Sequence, residues 1–323
     1  MENFNFIYYH RSRDFGRKLN ATFEFIKQNF KSLIKCLFVI VAPSTLMAGV
    51  VFGNVIDDLQ MQNQNQFWTD NTSHVFMMMG QMILAFIFLI VSAVLSVATL
   101  HNYVILYEEK QTNKISVTEV WDRVKSTFFK YVLASIIYVV LMGAMYLILI
   151  VPSFLFASVH PGLMIFFVFG IMFAMVYLLI ASSLSFFLIS YEKLNFFEAL
   201  TRSIKLTYGK WWSTFGVLLV LQIIAGFASY IFLIPFYIVV FLSSMHGADF
   251  ESLTENLPII MSIFLTLYLV AQMILSILPQ LGLVFQYFNL VEMKEAKGLM
   301  SRIDTLGSYP TASNQSTDSE ETY

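Results

Sequence analysis

Cysteine is all but missing from this chain: Cys36 stands alone among 323 residues, so no intramolecular disulfide can form and the redox compartment is left open. Charge is equally scarce. Only 12% of residues are Asp, Glu, Lys or Arg, where an ordinary soluble domain has roughly a quarter. With 58% hydrophobic residues and a mean hydropathy of +0.70, the composition excludes a soluble globular domain and describes one integral membrane domain. Catalytic signatures are missing too, for the sequence has no P-loop, no dinucleotide-type glycine pattern, no HExxH and no GxSxG.

What is present is six apolar runs: Cys36 to Ile56, Val75 to His101, Tyr131 to Ala157, Leu163 to Ser190, Phe215 to Leu242 and Pro258 to Phe288. Each is long enough for the ~20-residue helix that crosses a hydrocarbon core. None contains Asp, Glu, Lys or Arg, and His101 lies only at a boundary. Ionisable groups inside a bilayer are costly and mark proton relays, so their lack disfavours gradient-driven transport through a buried carboxylate.

All 19 Lys and Arg residues fall in the segments on one side of these runs. The three alternate loops hold none, and two of them carry Asp57, Asp58, Asp70, Asp249, Glu251 and Glu255. Basic flanks stay cytoplasmic. The pattern predicts a multi-pass protein of a bacterial cytoplasmic (inner) membrane with both termini in the cytoplasm. The N-terminal residues are too polar for a cleavable signal peptide. Domain limits follow: 1–35 as a cytoplasmic segment with an amphipathic helix, 36–290 as the six-helix domain, and 291–323 as a cytoplasmic tail, disordered from about Leu306.

An amphipathic stretch precedes each odd-numbered span. Phe23, Ile26, Phe30 and Leu33 share a helical face opposite Glu24, Lys27 and Lys31; Val117, Val120, Trp121, Val124 and Phe128 oppose Glu119, Asp122 and Arg123. In the third, Phe196, Phe197, Leu200, Ile204 and Trp211 oppose Glu198, Arg202 and Lys205. Such helices lie in the headgroup plane. The even spans leave the bilayer through LYEEK (106–110), SYEKL (190–194) and NLVEMKE (289–295). The expected fold is therefore all-α, with six transmembrane helices arranged as three repeats of an interfacial helix plus a transmembrane hairpin.

The partners expected are membrane lipids, with Lys27, Lys31, Arg123, Lys125, Lys205 and Lys210 at anionic headgroups, each cation contributing about 1 kcal/mol. Nucleic acid is not expected, because the cations are spread over interfacial helices rather than grouped in a basic module. A membrane-protein partner is left open, and no cofactor is expected. Histidine supplies one alternative: His74, His160 and His246 fall one to each outer loop at equal spacing, a set that three converging loops would present to a divalent ion. No HxH or HxxxH spacing supports ligation. Within the spans, Gln81, Gln222, Gln272, Gln280 and Gln286 read as interhelical hydrogen-bond glue, and Gly49 with Gly53 as a point of close helix approach. Pro43, Pro152, Pro235 and Pro279 are expected to kink their helices.

The segment FFEALTRSIKLTYGKWWSTFGVLLV, 196–220, resembles the E-A-x-x-R-S-x-x-L-T-x-G-x-W signature of bacterial multi-pass proteins that include the membrane domain fused to some glycerophosphodiester phosphodiesterases. The matching positions are Glu198, Ala199, Arg202, Ser203, Leu206, Thr207, Gly209 and Trp211. YHRSRD (9–14) and ATFEFIKQNFK (21–31) likewise resemble membrane proteins of Bacteroidota. The chain has no phosphodiesterase domain, so the resemblance implies no active site. Physically, the signature reads as an elbow: Glu198 pairs with Arg202 along one face, Gly209 ends the helix, and Trp211 and Trp212 sit at the headgroup boundary. The expected function is non-enzymatic, in lipid interaction or envelope organisation. The alternative is a transporter or channel for a lipid-like or small polar solute.

Overall fold

The computed structural model describes residues 6–64, 72–157, 161–246, 257–300 and 303. Every regular element among them is helical: α1 (Phe15–Ile40), α2 (Ala42–Gln64), α3 (Thr72–Lys110), α4 (Val117–Ala157), α5 (Pro161–Ser182), α6 (Ser185–Tyr191), α7 (Phe196–Thr207), α8 (Trp211–Ile231), α9 (Ile234–His246), α10 (Leu257–Leu275) and α11 (Ile277–Glu295). Five segments are long and apolar enough to cross a membrane, and six if α1 and α2, bent by 53°, count as one span. The tail from Leu306 lies outside the described residues.

Proline sets several of the breaks. A proline removes its own N–H and clashes with the carbonyl four residues back. α8 stops at Ile231, four residues before Pro235, and α10 stops at Leu275, four before Pro279. Pro43 stands just beyond the joint at Val41. Pro152 is carried inside α4. The break between α5 and α6 has no proline.

The three amphipathic stretches join their spans in three ways. α1 bends into α2; the second stretch is simply the first turns of the continuous α4; α7 is a separate helix set off from α8 by Tyr208, Gly209 and Lys210. Each stripe is divided between the protein core and the outer surface. α1 buries Ala21, Phe25, Leu33 and Cys36 together with the polar Lys18, Thr22 and Asn29, while Phe23 and Phe30 are exposed. α7 buries Phe196, Ala199, Ser203 and Leu206 and exposes Phe197 and Ile204. α4 buries Val120 and Val124 and exposes Trp121.

By contrast, the even spans end alike. Gln111 and Ala296, directly after their exit sequences, and Lys193, within SYEKL, adopt left-handed backbone at φ 50°, 50° and 56°, and they are the only non-glycine residues with positive φ among the described residues. That conformation is a common helix terminator because it returns the chain's N–H groups to the last carbonyls. Gln111 N–H reaches Tyr107 O and Ala296 N–H reaches Glu292 O, each at 3.0 Å.

The core is gathered at the end of the bundle that carries the bases, called the basic end below. Tyr103 and Tyr107 of α3, Phe187 of α6 and Phe285, Tyr287 and Phe288 of α11 are fully buried around Phe25 and Tyr9. Tyr9 stacks on Phe288 at 4.7 Å, so the segment before α1 forms the floor of this core. Toward the opposite end packing thins around α4 and α5, while α2 stays packed on α3, with the Phe52 and Phe86 rings 5.9 Å apart, and on α10: a Cβ on Gly49 would lie 2.3 Å from Thr266 Oγ1, and one on Gly53 would lie 2.0 Å from Ser262 Oγ. The GxxxG pair is thus an intramolecular seam.

Candidate membrane interface and basic-end cavity

The α7 signature is a clamp built residue by residue. Asn195 caps α7 by accepting from Glu198 N–H at 3.0 Å, and the Glu198 carboxylate accepts from Asn195 N–H at 3.1 Å, a reciprocal capping box. Glu198 is therefore engaged at the helix start, and the expected Glu198–Arg202 pair does not form. Arg202 instead donates to Glu192 at 3.3 Å and to Glu295 at 2.5 Å, and Tyr287 OH donates to Glu192 at 2.6 Å. These bonds tie α7 to the ends of α6 and α11. Hydrogen bonding to Glu295 and Glu192 raises the Arg202 pKa above its already high value, and the same guanidinium holds the Glu295 carboxyl below the usual carboxylate range.

Ser203 explains how the fourth span tolerates its break. Its hydroxyl accepts from Leu184 N–H at 3.2 Å and donates to Ala181 O at 2.7 Å, satisfying two backbone groups that the interruption between α5 and α6 frees. Gly209 takes φ +76°, a conformation closed to most side chains, and so turns α7 into α8. Trp211 donates its indole N–H to Tyr177 O at 3.1 Å and stacks on the Tyr177 ring, whereas Trp212 is exposed.

The six expected headgroup cations divide into two groups. Arg123 is bonded to Glu109, and Lys125 pairs with Asp122 at 3.0 Å while lying over the Trp121 ring. Lys27, Lys31, Lys205 and Lys210 are exposed and, among the described residues, have no carboxylate partner. Exposed aromatic rings share their helices: Phe23 and Phe30 on α1, Trp121 and Phe129 on α4, and Phe197 on α7, with Tyr208 and Trp212 beside it.

One base is not at the surface. Lys18 is only 2% exposed, and its ammonium donates to Gln286 Oε1 at 2.7 Å and Ser213 Oγ at 2.8 Å, with Gln286 donating in turn to Thr214 at 3.0 Å. Gln286 is thus interhelical glue. The other intramembrane glutamines behave differently, for Gln222 is exposed and Gln272 and Gln280 line a crevice described below. His101, buried at its boundary, bonds Tyr131 OH at 2.9 Å, and Ser190 donates to the same oxygen at 2.7 Å.

A cavity of about 730 Å³ opens at the basic end between the segment before α1 and the exits of the even spans. Its walls include Phe6, Tyr8, Arg11, Gln111 and Lys297. At its back Tyr191 OH donates to Glu108 Oε1 at 3.2 Å and lies 3.3 Å from His10 Nε2, which is 3.6 Å from the same carboxylate oxygen. The sequence pointed to Glu108 and Tyr191 only as members of the recurring exit motifs, and to His10 only within YHRSRD. No local spacing joins residues this far apart along the chain.

The expected metal set is not assembled by what is described. His160 lies outside the described residues, and only the backbone of His74, in the first turn of α3, and of His246, at the end of α9, is described. Among the described residues no three His, Cys, Asp or Glu side chains form a group able to hold a metal ion. No family model, curated protein or solved structure matches the chain.

Proposed function

We propose that the chain is a non-enzymatic, multi-pass protein of the bacterial cytoplasmic membrane, with both termini cytoplasmic, whose basic end engages anionic headgroups of the inner leaflet in lipid interaction or envelope organisation. The observation that carries this reading is the pairing of exposed rings with exposed, carboxylate-free cations on α1 and around α7. Phe23 and Phe30 flank Lys27 and Lys31; Phe197, Tyr208 and Trp212 accompany Lys205 and Lys210. Aromatic rings favour the headgroup level and lysines reach past them to phosphate.

The same reading accommodates a three-unit plan of interfacial helix and hairpin. It draws support from the left-handed residue closing each even span and from the Glu109–Arg123 and Glu192–Arg202 pairs, which in two successive units join an exit motif to the following amphipathic helix. The α7 signature has a structural role at each matched position described, in keeping with an elbow rather than an active site.

The test is retention of anionic lipid. After mild extraction, phosphatidylglycerol bound to the full chain is compared with bound phosphatidylcholine for the wild type and for a variant with Lys27, Lys31, Lys205 and Lys210 replaced by Gln. At about 1 kcal/mol per cation, the preference for the anionic lipid falls on the order of tenfold or more. An unchanged preference overturns the proposal. The second reading, transport of a lipid-like or small polar solute, rests on the polar crevice considered next.

A further inference from the structure

A crevice of about 230 Å³ lies between α2, α3, α10 and α11, where the sixth span is broken. Its polar lining is Thr45, Ser92, Ser96, Gln272, Ser276 and Gln280. Several of these groups satisfy one another: Thr45 and Ser92 hydroxyls lie 2.6 Å apart, Ser276 donates to Met273 O at 2.7 Å, and Gln280 Nε2 donates to Ser276 at 3.5 Å. Two buried atoms are left over. Ser96 Oγ and Gln280 Oε1 are both buried and have no hydrogen-bond partner, and the Ser96 residue is only 3% exposed.

A buried polar atom without a partner costs on the order of 1–3 kcal/mol, so a crevice that holds two of them invites a ligand that completes them. Gln280 Oε1 accepts only, so the ligand must carry an O–H or N–H donor; an ester or ketone alone cannot serve. The Ser96 hydroxyl donates or accepts. No Asp, Glu, Lys, Arg or His lines the crevice, so an ionised head would enter a low-dielectric site without a counter-charge, at prohibitive cost. The buried Met273 and Leu89, Ala93, Val97 and Leu269 form the remaining walls, and the last four are partly or fully exposed, so the crevice is open on an apolar side that faces hydrocarbon. Ser96 precedes the boundary residue His101 by a little over one turn, about 8 Å along the helix at 1.5 Å per residue. That depth suits a small head sunk just beneath the phosphate layer.

We infer that this crevice binds the uncharged, hydroxyl-bearing head of a single amphiphile from the leaflet at the basic end. Its hydroxyl completes Ser96 and Gln280 while its acyl chain remains in the bilayer.

The full chain is reconstituted in nanodiscs of phosphatidylethanolamine and phosphatidylglycerol with a trace of a monoacylglycerol bearing a photoreactive diazirine on its chain. A parallel sample carries the free fatty acid with the same chain and diazirine. Illumination and peptide mapping are expected to place the monoacylglycerol adduct on 89–97 and 269–276, competed by excess unlabelled monoacylglycerol, with no such enrichment for the fatty acid. Ser96→Val combined with Gln280→Leu removes the polar pair and is expected to cut labelling about fivefold or more. Leu89→Trp, which narrows the mouth and touches neither polar group, does the same and guards against misfolding of the double variant. Equal labelling by both probes, absence of competition, labelling unchanged in both variants, or no adduct in the crevice because water alone fills it, each overturns the inference.

Discussion

The two ends of this bundle are built on different principles. At the basic end, Tyr103, Tyr107, Phe285 and Phe288 are wholly buried, and buried polar groups such as Lys18, Asn29 and His101 are bonded across helices, as in the interior of a soluble protein. In the opposite half, Phe166 and Phe173 of α5 are 75% and 70% exposed, and a Cβ on Gly143 or Gly170 would meet nothing within 4 Å. Hydrocarbon solvates a phenyl ring as well as a neighbouring helix does, so apolar side chains give little drive for helices to close there. At the basic end water is near, and burial combined with polar pairing is rewarded. The layer thus holds the helices together from one end, and the crevice and cavity lie where the packed and splayed regions meet or at the packed surface.

The comparison breaks most visibly at Phe288, which touches Tyr9, Phe187, Tyr191 and Tyr287. Phe288→Ala is expected to destabilise the fold by about 3–5 kcal/mol, read from unfolding in mixed detergent micelles. Ser203→Val leaves Leu184 N–H and Ala181 O short of their partner and is expected to cost about 1–3 kcal/mol in the same assay.

Arg202→Gln probes the ion pairs at the rim. Because the pairs are partly exposed, the cost is about 1 kcal/mol, and it carries a pH signature. Glu295 has a lowered pKa in the fold, so its contribution is complete above the ordinary carboxylate value of 4.5 and disappears as the pH falls through the lowered one. Wild-type stability should decline across that acid range, and the decline should be shallower in the variant. A steeper decline in Arg202→Gln would contradict the assignment of the pair.

In the splayed half, Gly53→Ala is expected to push α2 from α10 and cost about 1 kcal/mol, because Ser262 Cβ as well as its hydroxyl stands in the way. Phe173→Ala, in contrast, should fall within about 0.5 kcal/mol of wild type. A large loss there would show that the opposite half is packed after all, and the contrast between the ends would fail.

Much of this architecture was legible along the chain. Hydropathy is local, and it divided the residues between lipid and water; the prolines fixed where α8 and α10 stop because the clash is with a carbonyl a set distance back; Gly49 and Gly53 marked a seam by their spacing. Partner choice was not legible. The aromatic stripes of α1 and α7 looked like faces to be hidden in one place, but lipid, interface and protein core all accept a phenylalanine. Only the folded arrangement decided that Phe25 faces the core and Phe23 does not.

The α7 signature shows the same division within a dozen residues. Gly209 and the capping residues act on their own backbone neighbourhood, and the sequence by itself determined that an elbow would form there. Arg202 offered Glu198 at the right helical spacing, yet the tertiary structure brought Glu192 and Glu295 within reach of its guanidinium while Glu198 was taken up by the helix cap. His10, Glu108 and Tyr191, and likewise Ser96 and Gln280, meet only because separate helices close on one another. The order of residues determined which segments enter the membrane and where they bend, since those follow from transfer free energy and backbone sterics. Which polar groups end up together, and which are left without a partner, was decided by packing across long stretches of chain, where no local pattern carries the information.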